Sequence, residues 1–314
     1  MRTRNTINDL SASQLSDILD AAIRMQHHVE RHRVLPQYLR GFCLGMIFDE
    51  TSLRTRSAFE RAMYDLGGHA IHYSGADVRV GRHAKKQEHL PDLVNVAGRF
   101  NDALLSRIYD HQVQVKIAAL SPVPFINGMC DMHHPTQAIC DLLTIKRRFG
   151  TLVGVKIAFV GDGTNIARSL AQACSLLNVE FAIATPESMR LGATAQEMCR
   201  TSCETTDPIR AVRDAHAVIG DVWFPMNGSH EAVERYSALE PFRITMDLMR
   251  HARSDAVFMH NLPAYREQEV TTAVIDGPRS VIYEEAVARL HIARAILLFA
   301  LRPDAERLLE DLEE

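Results

Sequence analysis

Three short segments bring together residue types that bind and polarise anions. Ser52-Leu53-Arg54-Thr55-Arg56 stands where an apolar run, Phe42 to Phe48, and a polar turn, Asp49 to Ser52, give way to a helical pattern. A helix starting there presents backbone N–H groups, hydroxyls and guanidinium forks at one point, which suits a phosphate. Helix dipoles disfavour cations in a first turn, so either an anion justifies the two arginines or they are solvated surface groups. His133-His134-Pro135-Thr136-Gln137 opens a second helix, with Pro135 in the first-turn position that proline prefers. Its imidazole and amide serve a ligand or simply the fold. Two helix N-termini with complementary donors signal more than either alone. Phe258 to Ala264 follows a strand of the second half, where strand C-termini of α/β sheets meet ligands. A cis Leu262–Pro263 bond would turn backbone carbonyls toward such a ligand.

The elements that must position these residues follow from the apolar spacing. Leu10 to Leu15 forms a capping box with its hydrophobic staple, so a helix starts at Ser11 and runs through Leu15, Ile18, Leu19, Ala22 and Ile23. The strand Phe42–Phe48 leads into a helix through Phe59, Ala62, Met63 and Leu66, ended by Gly67-Gly68, and then a strand at His69–Tyr73. A helix at Asp92–Phe100, strands at Ala103–Leu105 and Val123–Ile126, and a long helix from Thr136 to Phe149 continue the rhythm. A second series has strands at Lys156–Val160, Phe181–Ala184, Ala217–Asp221 and Val257–His260. The expected fold is α/β, two doubly wound parallel-sheet domains joined by helices. The first covers 1–147 and the second 148–283. The last helix, Glu284 to Leu301, has a pattern that fits either domain; segment 284–314 is assigned to the first.

Composition narrows the class. A chain of 314 residues has room for two domains of roughly 150 residues each. With 46% hydrophobic and 24% charged residues it is not predominantly disordered. Thirty-five Lys+Arg against 39 Asp+Glu give a net charge of -4, which offers no general attraction to nucleic acid or to an anionic membrane, so neither is an expected partner. No apolar run approaches the roughly 20 residues that cross a bilayer, and none follows the N-terminal basic residues, so a cytoplasmic location is expected. Cys43, Cys130, Cys140, Cys174, Cys199 and Cys203 are scattered without a CxxC pair and read as reduced thiols. His28 and His32, at i and i+4, fit a metal or an exposed helix face, and no metal is assigned.

Taken in order, the segments resemble the aspartate/ornithine carbamoyltransferase family, and its ornithine branch in particular. The signature Ser-Thr-Arg-Thr-Arg appears as Ser52 to Arg56, His-Pro-x-Gln as His134 to Gln137, and His-Cys-Leu-Pro as His260-Asn261-Leu262-Pro263. Gly161 to Asn165, Asp221-Val222-Trp223 and Arg289-Leu290-His291 extend the likeness over nearly the whole chain. The resemblance implies a carbamoyl-phosphate domain followed by a Rossmann-like amino-acid domain. It implies transfer of the carbamoyl group of carbamoyl phosphate to the amine of an amino-acid acceptor, L-ornithine giving L-citrulline and phosphate, without a cofactor and within a homotrimer or a multiple of trimers. By the same resemblance Ser52, Leu53, Arg54 and Thr55 hold the phosphoryl oxygens. Arg107, His134 and Thr55 surround the carbonyl oxygen as an oxyanion hole does, Gln137 with the carbonyls of Asn261 and Leu262 fixes the donor's amino group, and Arg289 closes over it. Arg54, Thr55, Arg107 and His134 form the implied catalytic set. No covalent intermediate is needed, and the departing phosphate is itself a candidate proton acceptor.

On the acceptor side the resemblance points to Asn165, Asp221, Pro225, Met226 and Asn261. Two positions depart from the ornithine pattern: Phe224-Pro225-Met226-Asn227-Gly228 stands in place of a Ser-Met-Gly element, and Asn261 stands where the branch has cysteine. Proline has no N–H and a fixed φ, and asparagine both donates and accepts. Another diamino acid, an acylated ornithine or a diamine therefore remain alternative acceptors. Arg82 to Gln87 correspond to a loop that in the family reaches a neighbouring subunit's site. A nicotinamide-dependent oxidoreductase is the rival from another class, because Val160 to Asn165 follows a strand and opens a helix. The third glycine is missing, and Ala184-Thr185 stand where a ribose-binding acid is expected. A catalytically silent paralogue that binds carbamoyl phosphate is opposed by the intact Arg54, Thr55, Arg107, His134 and Gln137.

Overall fold

The computed structural model describes residues 3–4, 7–49, 51–75, 88–192, 202–224, 232–310 and 312. The chain divides into two compact units, Met1–Leu143 with Val287–Glu314, and Thr144–Ala286.

The first unit is built in chain order from β1 (Thr3–Arg4), α1 (Ala12–His32), β2 (Cys43–Phe48), α2 (Leu53–Asp65), β3 (His69–Ser74), α3 (Leu90–Phe100), β4 (Ala103–Arg107), α4 (His111–Leu120), β5 (Phe125–Met129) and α5 (Pro135–Phe149). Its five strands are all parallel, in the order β1-β5-β4-β2-β3. The capping box at the head of α1 is formed: Gln14 N–H donates to Ser11 Oγ at 3.1 Å, and Ser11 N–H to Gln14 Oε1 at 3.1 Å. β2 buries five of its six residues, as a central parallel strand covered on both faces must. α2 stops where expected. Gly67 takes φ +82°, a conformation that costs an L side chain, and Gly68 N–H returns to the Met63 carbonyl at 2.8 Å. Ile47, Leu104, Ile117, Val94 and Phe125 form the core between sheet and helices.

The second unit contains β6 (Lys156–Val160), α6 (Asn165–Leu176), β7 (Glu180–Ala184), β8 (Ser202–Thr205), α7 (Pro208–Val212), β9 (Ala217–Gly220), α8 (Ala232–Leu239), α9 (Met246–Met249), β10 (Val257–His260) and α10 (Thr272–Ile275). Its strands are again all parallel, in the order β10-β9-β6-β7-β8. Its core joins Ala158, Val160 and Val218 of the sheet to Ile244, Phe258 and Val274. α11 (Ile282–Leu301) begins in this unit and ends in the first, followed by α12 (Ala305–Glu310). Tyr38 OH donates to the Leu308 carbonyl at 2.8 Å, fixing α12 within the first unit.

Both sheets are doubly wound, so each has a point where successive connections leave in opposite directions. In the first it lies between β2 and β4, and in the second between β6 and β9. The segments singled out for their chemistry leave the C-terminal ends of β2, β5 and β10. The structure adds an edge strand to each sheet: β1 is only two residues long, and β8, Ser-Cys-Glu-Thr, lacks the apolar run that marks a strand. It also adds α4, whose Val113, Val115 and Ile117 alternate like a strand while Gln114 is wholly buried.

Candidate active site

In the first unit, Ser52 is the N-cap of α2 but makes no capping bond through its hydroxyl, so the first turn's N–H groups are not closed off by it. Thr55 is buried and Arg54 half-buried, while Leu53 is 77% exposed and offers only its backbone. The expectation that both arginines of the motif converge is corrected here. Arg56 turns outward and pairs with Glu60 at 2.8 Å, because helical residues two positions apart do not share a face. β4 runs two residues beyond its apolar segment, and this carries Arg107 to the strand end, opposite Phe48. There Arg107 Nη1 donates to Thr55 Oγ1 at 3.4 Å, linking the end of β4 to the first turn of α2 across the switch point.

His134 sits just before α5, 3% exposed, its Nδ1 3.3 Å from Thr136 Oγ1. Burial, followed by the positive charges of Arg289, Arg107 and Arg54, holds its pKa well below the usual 6.5, so the ring is neutral at physiological pH. Burial and the neighbouring Arg289 likewise lower the pKa of Arg54. Three guanidinium groups, from α2, β4 and α11, thus crowd a neutral imidazole before α5, and the repulsion among the cations is what a bound dianion would relieve. Gln137 is fully buried and donates through Nε2 to Asp141 Oδ1 at 2.6 Å, which directs its carbonyl oxygen the other way. Thr55, Thr136 and Arg289 line one small cavity.

The depressed His134 pKa has a measurable consequence. Below pH 6.5 the unfolded chain binds a proton that the folded chain refuses, so this residue's contribution to stability is complete above 6.5 and is lost as pH falls below it. In His134→Gln, unfolding titrations between pH 6.5 and 5 should show a slope shallower by up to about 1.4 kcal/mol per pH unit. Equal slopes in the two proteins would contradict a neutral, buried ring.

In the second unit, Thr164 caps α6 and donates its hydroxyl to Asp221 Oδ2 at 3.0 Å, joining the loops after β6 and β9. Asn165 is the first residue of that helix. Burial raises the Asp221 pKa, an effect opposed by His260, the Val222 N–H and the Thr164 hydroxyl. Gly163 has no room for a side chain: a Cβ there would lie 2.5 Å from the Met189 carbonyl oxygen. Asn261 and Leu262 follow β10, and the Leu262–Pro263 bond is cis. His260 is completely buried; its Nδ1 accepts from Leu262 N–H at 3.0 Å, its Nε2 lies 3.4 Å from Glu269 Oε1, and its own N–H donates to Glu285 Oε2 at 2.8 Å.

Pro225 and Met226, the loop 82–87 and Cys199 lie outside the described residues. Several supporting groups escaped the sequence reading. Glu269 and Glu285 are 1% exposed acids that hold the His260 segment, and Arg235 bridges the Asp162 carboxylate and the Trp223 carbonyl. Spacing gives little hint of these, since an acid or arginine in a helical or loop segment ordinarily reads as surface.

Comparison with known proteins identifies the family. Residues 2–147 match the family model of the aspartate/ornithine carbamoyltransferase carbamoyl-P binding domain, and residues 153–300 that of the Asp/Orn binding domain. The chain is 38% identical over 306 residues to the ornithine carbamoyltransferase of Pyrococcus abyssi, covering 94% of each, and 37% identical over 300 residues to that of Bacillus subtilis, covering 93% of this chain and 91% of the relative. The solved ornithine carbamoyltransferase of Pyrococcus furiosus superposes with a TM-score of 0.91 at 36% identity, over 96% of this chain and 97% of that one. The Thermus thermophilus enzyme gives 0.85 at 32% identity, over 96% and 99%. Sequence and fold therefore agree along almost the entire length, and the chain belongs to the aspartate/ornithine carbamoyltransferase family.

Proposed function

We propose that this chain transfers the carbamoyl group of carbamoyl phosphate to the side-chain amine of L-ornithine, giving L-citrulline and phosphate. The observation that carries the reading is the cationic locus at the first switch point. Arg54, Arg107 and Arg289 gather around a neutral, buried His134 beside the N-terminus of α2, which suits a dianionic phosphate attached to a carbonyl group. The names of the relatives, all ornithine carbamoyltransferases, support ornithine as acceptor. One of them, from Pyrococcus furiosus, is named as anabolic.

In this reading Ser52, Arg54, Thr55 and the backbone N–H groups from Leu53 onward hold the phosphoryl oxygens. As the amine attacks the carbonyl carbon, negative charge grows on the carbonyl oxygen, and Thr55, Arg107 and His134 stabilise it. A neutral imidazole suits this task because it offers an N–H without binding a solvent proton first. Gln137, through its carbonyl oxygen, and the carbonyls of Asn261 and Leu262 accept from the donor's amino group, and Arg289 adds charge complementarity. The carbon–nitrogen bond forms, the carbon–oxygen bond to phosphate breaks, and the proton lost by the amine leaves on the phosphate. Asn165, Asp221, Pro225, Met226 and Asn261 bind the amino-acid end of the acceptor. Fixed donors and orientation supply most of the acceleration.

An initial-rate survey with carbamoyl phosphate and ornithine, 2,4-diaminobutyrate, lysine, N-acetylornithine and putrescine tests the acceptor. Ornithine should have the highest kcat/KM. A preference of about tenfold or more for another amine would reassign Pro225 and Asn261 as determinants of that amine. Asp221→Asn should raise KM for ornithine by about 10- to 100-fold, the cost of a lost charged hydrogen bond, and leave the Kd for carbamoyl phosphate nearly unchanged. We further propose a cytoplasmic homotrimer as the working form; among the described residues no helix is long and apolar enough to cross a membrane. Sedimentation of an active monomer would refute the trimer.

A further inference from the structure

Arg107 owes its position to an irregularity in the first sheet. β4 and β5 pair in register as far as Ser106 and Asn127, but the next pair is Arg107 with Met129, so Gly128 is an extra residue on β5. Met129 sits at φ +154°, which L-residues seldom adopt. Bulges re-aim side chains at strand ends, and a strained one persists only where its surroundings over-determine it. Here the surroundings centre on Gln114 of α4, which is wholly buried together with Ser106 and Asn127.

Gln114 Nε2 lies within hydrogen-bond distance of four acceptors. They are the carbonyls of Ser106 at 3.1 Å, Ile108 at 3.3 Å and Met129 at 2.9 Å, and Asn127 Oδ1 at 3.2 Å. Its Oε1 accepts from the Ser106 hydroxyl. The two N–H bonds of one amide are thus shared among the carbonyls before and after Arg107, the carbonyl of the residue paired with Arg107 across the bulge, and Asn127 Oδ1. Asn127 Oδ1 also accepts from Met129 N–H at 2.8 Å. A buried glutamine is expensive unless satisfied, and this one is satisfied entirely by the backbone and side chains that shape the bulge.

We infer that Gln114 is a positioning residue for catalysis, fixing the bulge that aims the Arg107 guanidinium at Thr55 and at the carbonyl oxygen of the donor. The inference rests on the reading of Arg107 as part of the oxyanion site. Gln114 touches no reacting atom, and it acts through the strand end.

Kinetics of Gln114→Met, alone and combined with Arg107→Ala, test it. Methionine has similar length and no donor. If Gln114 works through Arg107, kcat falls by about 10- to 100-fold, as for a displacement of about 1 Å at a catalytic group, while KM for carbamoyl phosphate moves by no more than about threefold. In the Arg107→Ala background the same substitution should cost no more than about twofold, because its target is already gone. Ser106→Ala is the milder probe if Gln114→Met does not fold. It removes only the hydroxyl that orients the amide and should lower kcat by about three- to tenfold, with the same dependence on Arg107. A folded Gln114→Met or Ser106→Ala with wild-type kcat overturns the inference, and so does an undiminished loss in the Arg107→Ala background, which would mean a structural role alone. Wild-type turnover in Arg107→Ala itself would instead refute the oxyanion reading.

Discussion

Arg54→Ala is expected to lower kcat/KM for carbamoyl phosphate by about 10²- to 10³-fold. Arg54 is half-buried at the N-terminus of α2, and its lowered pKa reports burial and a neighbouring Arg289. A guanidinium kept in such a place opposes both desolvation and like charge, a cost that a phosphoryl group offsets through two parallel charge-assisted hydrogen bonds. Removing one member of a desolvated, hydrogen-bonded charge pair costs about 2–5 kcal/mol, which sets the expected range. The empty protein should lose little stability, and even gain some, because repulsion with Arg289 is relieved. Arg54→Lys separates charge from geometry: lysine restores the charge without the fork, and should recover less than half of the loss in free energy. Steady-state kinetics with a titrated donor, together with calorimetric binding of phosphate, provide the check. A kcat/KM within about threefold of wild type would remove Arg54 from the site.

Much of this arrangement is visible in the sequence because it sits at junctions. Ser52 to Thr55 and His134 to Gln137 stand where a strand or turn gives way to a helix, and capping residues, Pro135 and Gly67 mark such junctions strongly. The alternation of apolar runs is equally clear for the central strands, whose burial on both faces produces unbroken stretches such as Leu44 to Phe48. Arg107 is different. No local motif surrounds it, the apolar run ends at Leu105, and only the family resemblance assigned it a role. Its place depends on strand pairing with β2 and on a bulge opposite, both products of contacts distant in sequence. Gln114 is harder still, since a polar residue in a helix ordinarily reads as exposed, and nothing nearby in the chain reveals that four acceptors converge on it. Edge strands β1 and β8 escape for the opposite reason: they are short and carry little apolar signal.

The long-range contacts also predict the most damaging change to stability. Arg294 of α11 is 3% exposed and pairs with Asp65 at the end of α2, its Nε 2.9 Å from Asp65 Oδ2, while its Nη1 lies 3.1 Å from His291 Nδ1. The same carboxylate accepts from the exposed Arg61 at 2.6 Å. The two partners are therefore not equivalent. Removing Asp65 strands a buried guanidinium, whereas removing Arg294 leaves the carboxylate with Arg61. Asp65→Ala should destabilise the protein by about 3–5 kcal/mol, the usual cost of breaking a buried pair from one side. Arg294→Met should cost clearly less, because methionine fills the site without a charge and Asp65 keeps a partner. The double variant should be more stable than Asp65→Ala alone, since the stranded charge is then absent. Denaturant unfolding of the three variants, followed by fluorescence and compared by midpoint, decides the order. If Arg294→Met proved the worse single change, the cost would lie in lost packing along α11, whose turns also present Arg289 and His291. If the three midpoints coincided with wild type, the Asp65–Arg294 pair would not be what docks the end of α2 on α11.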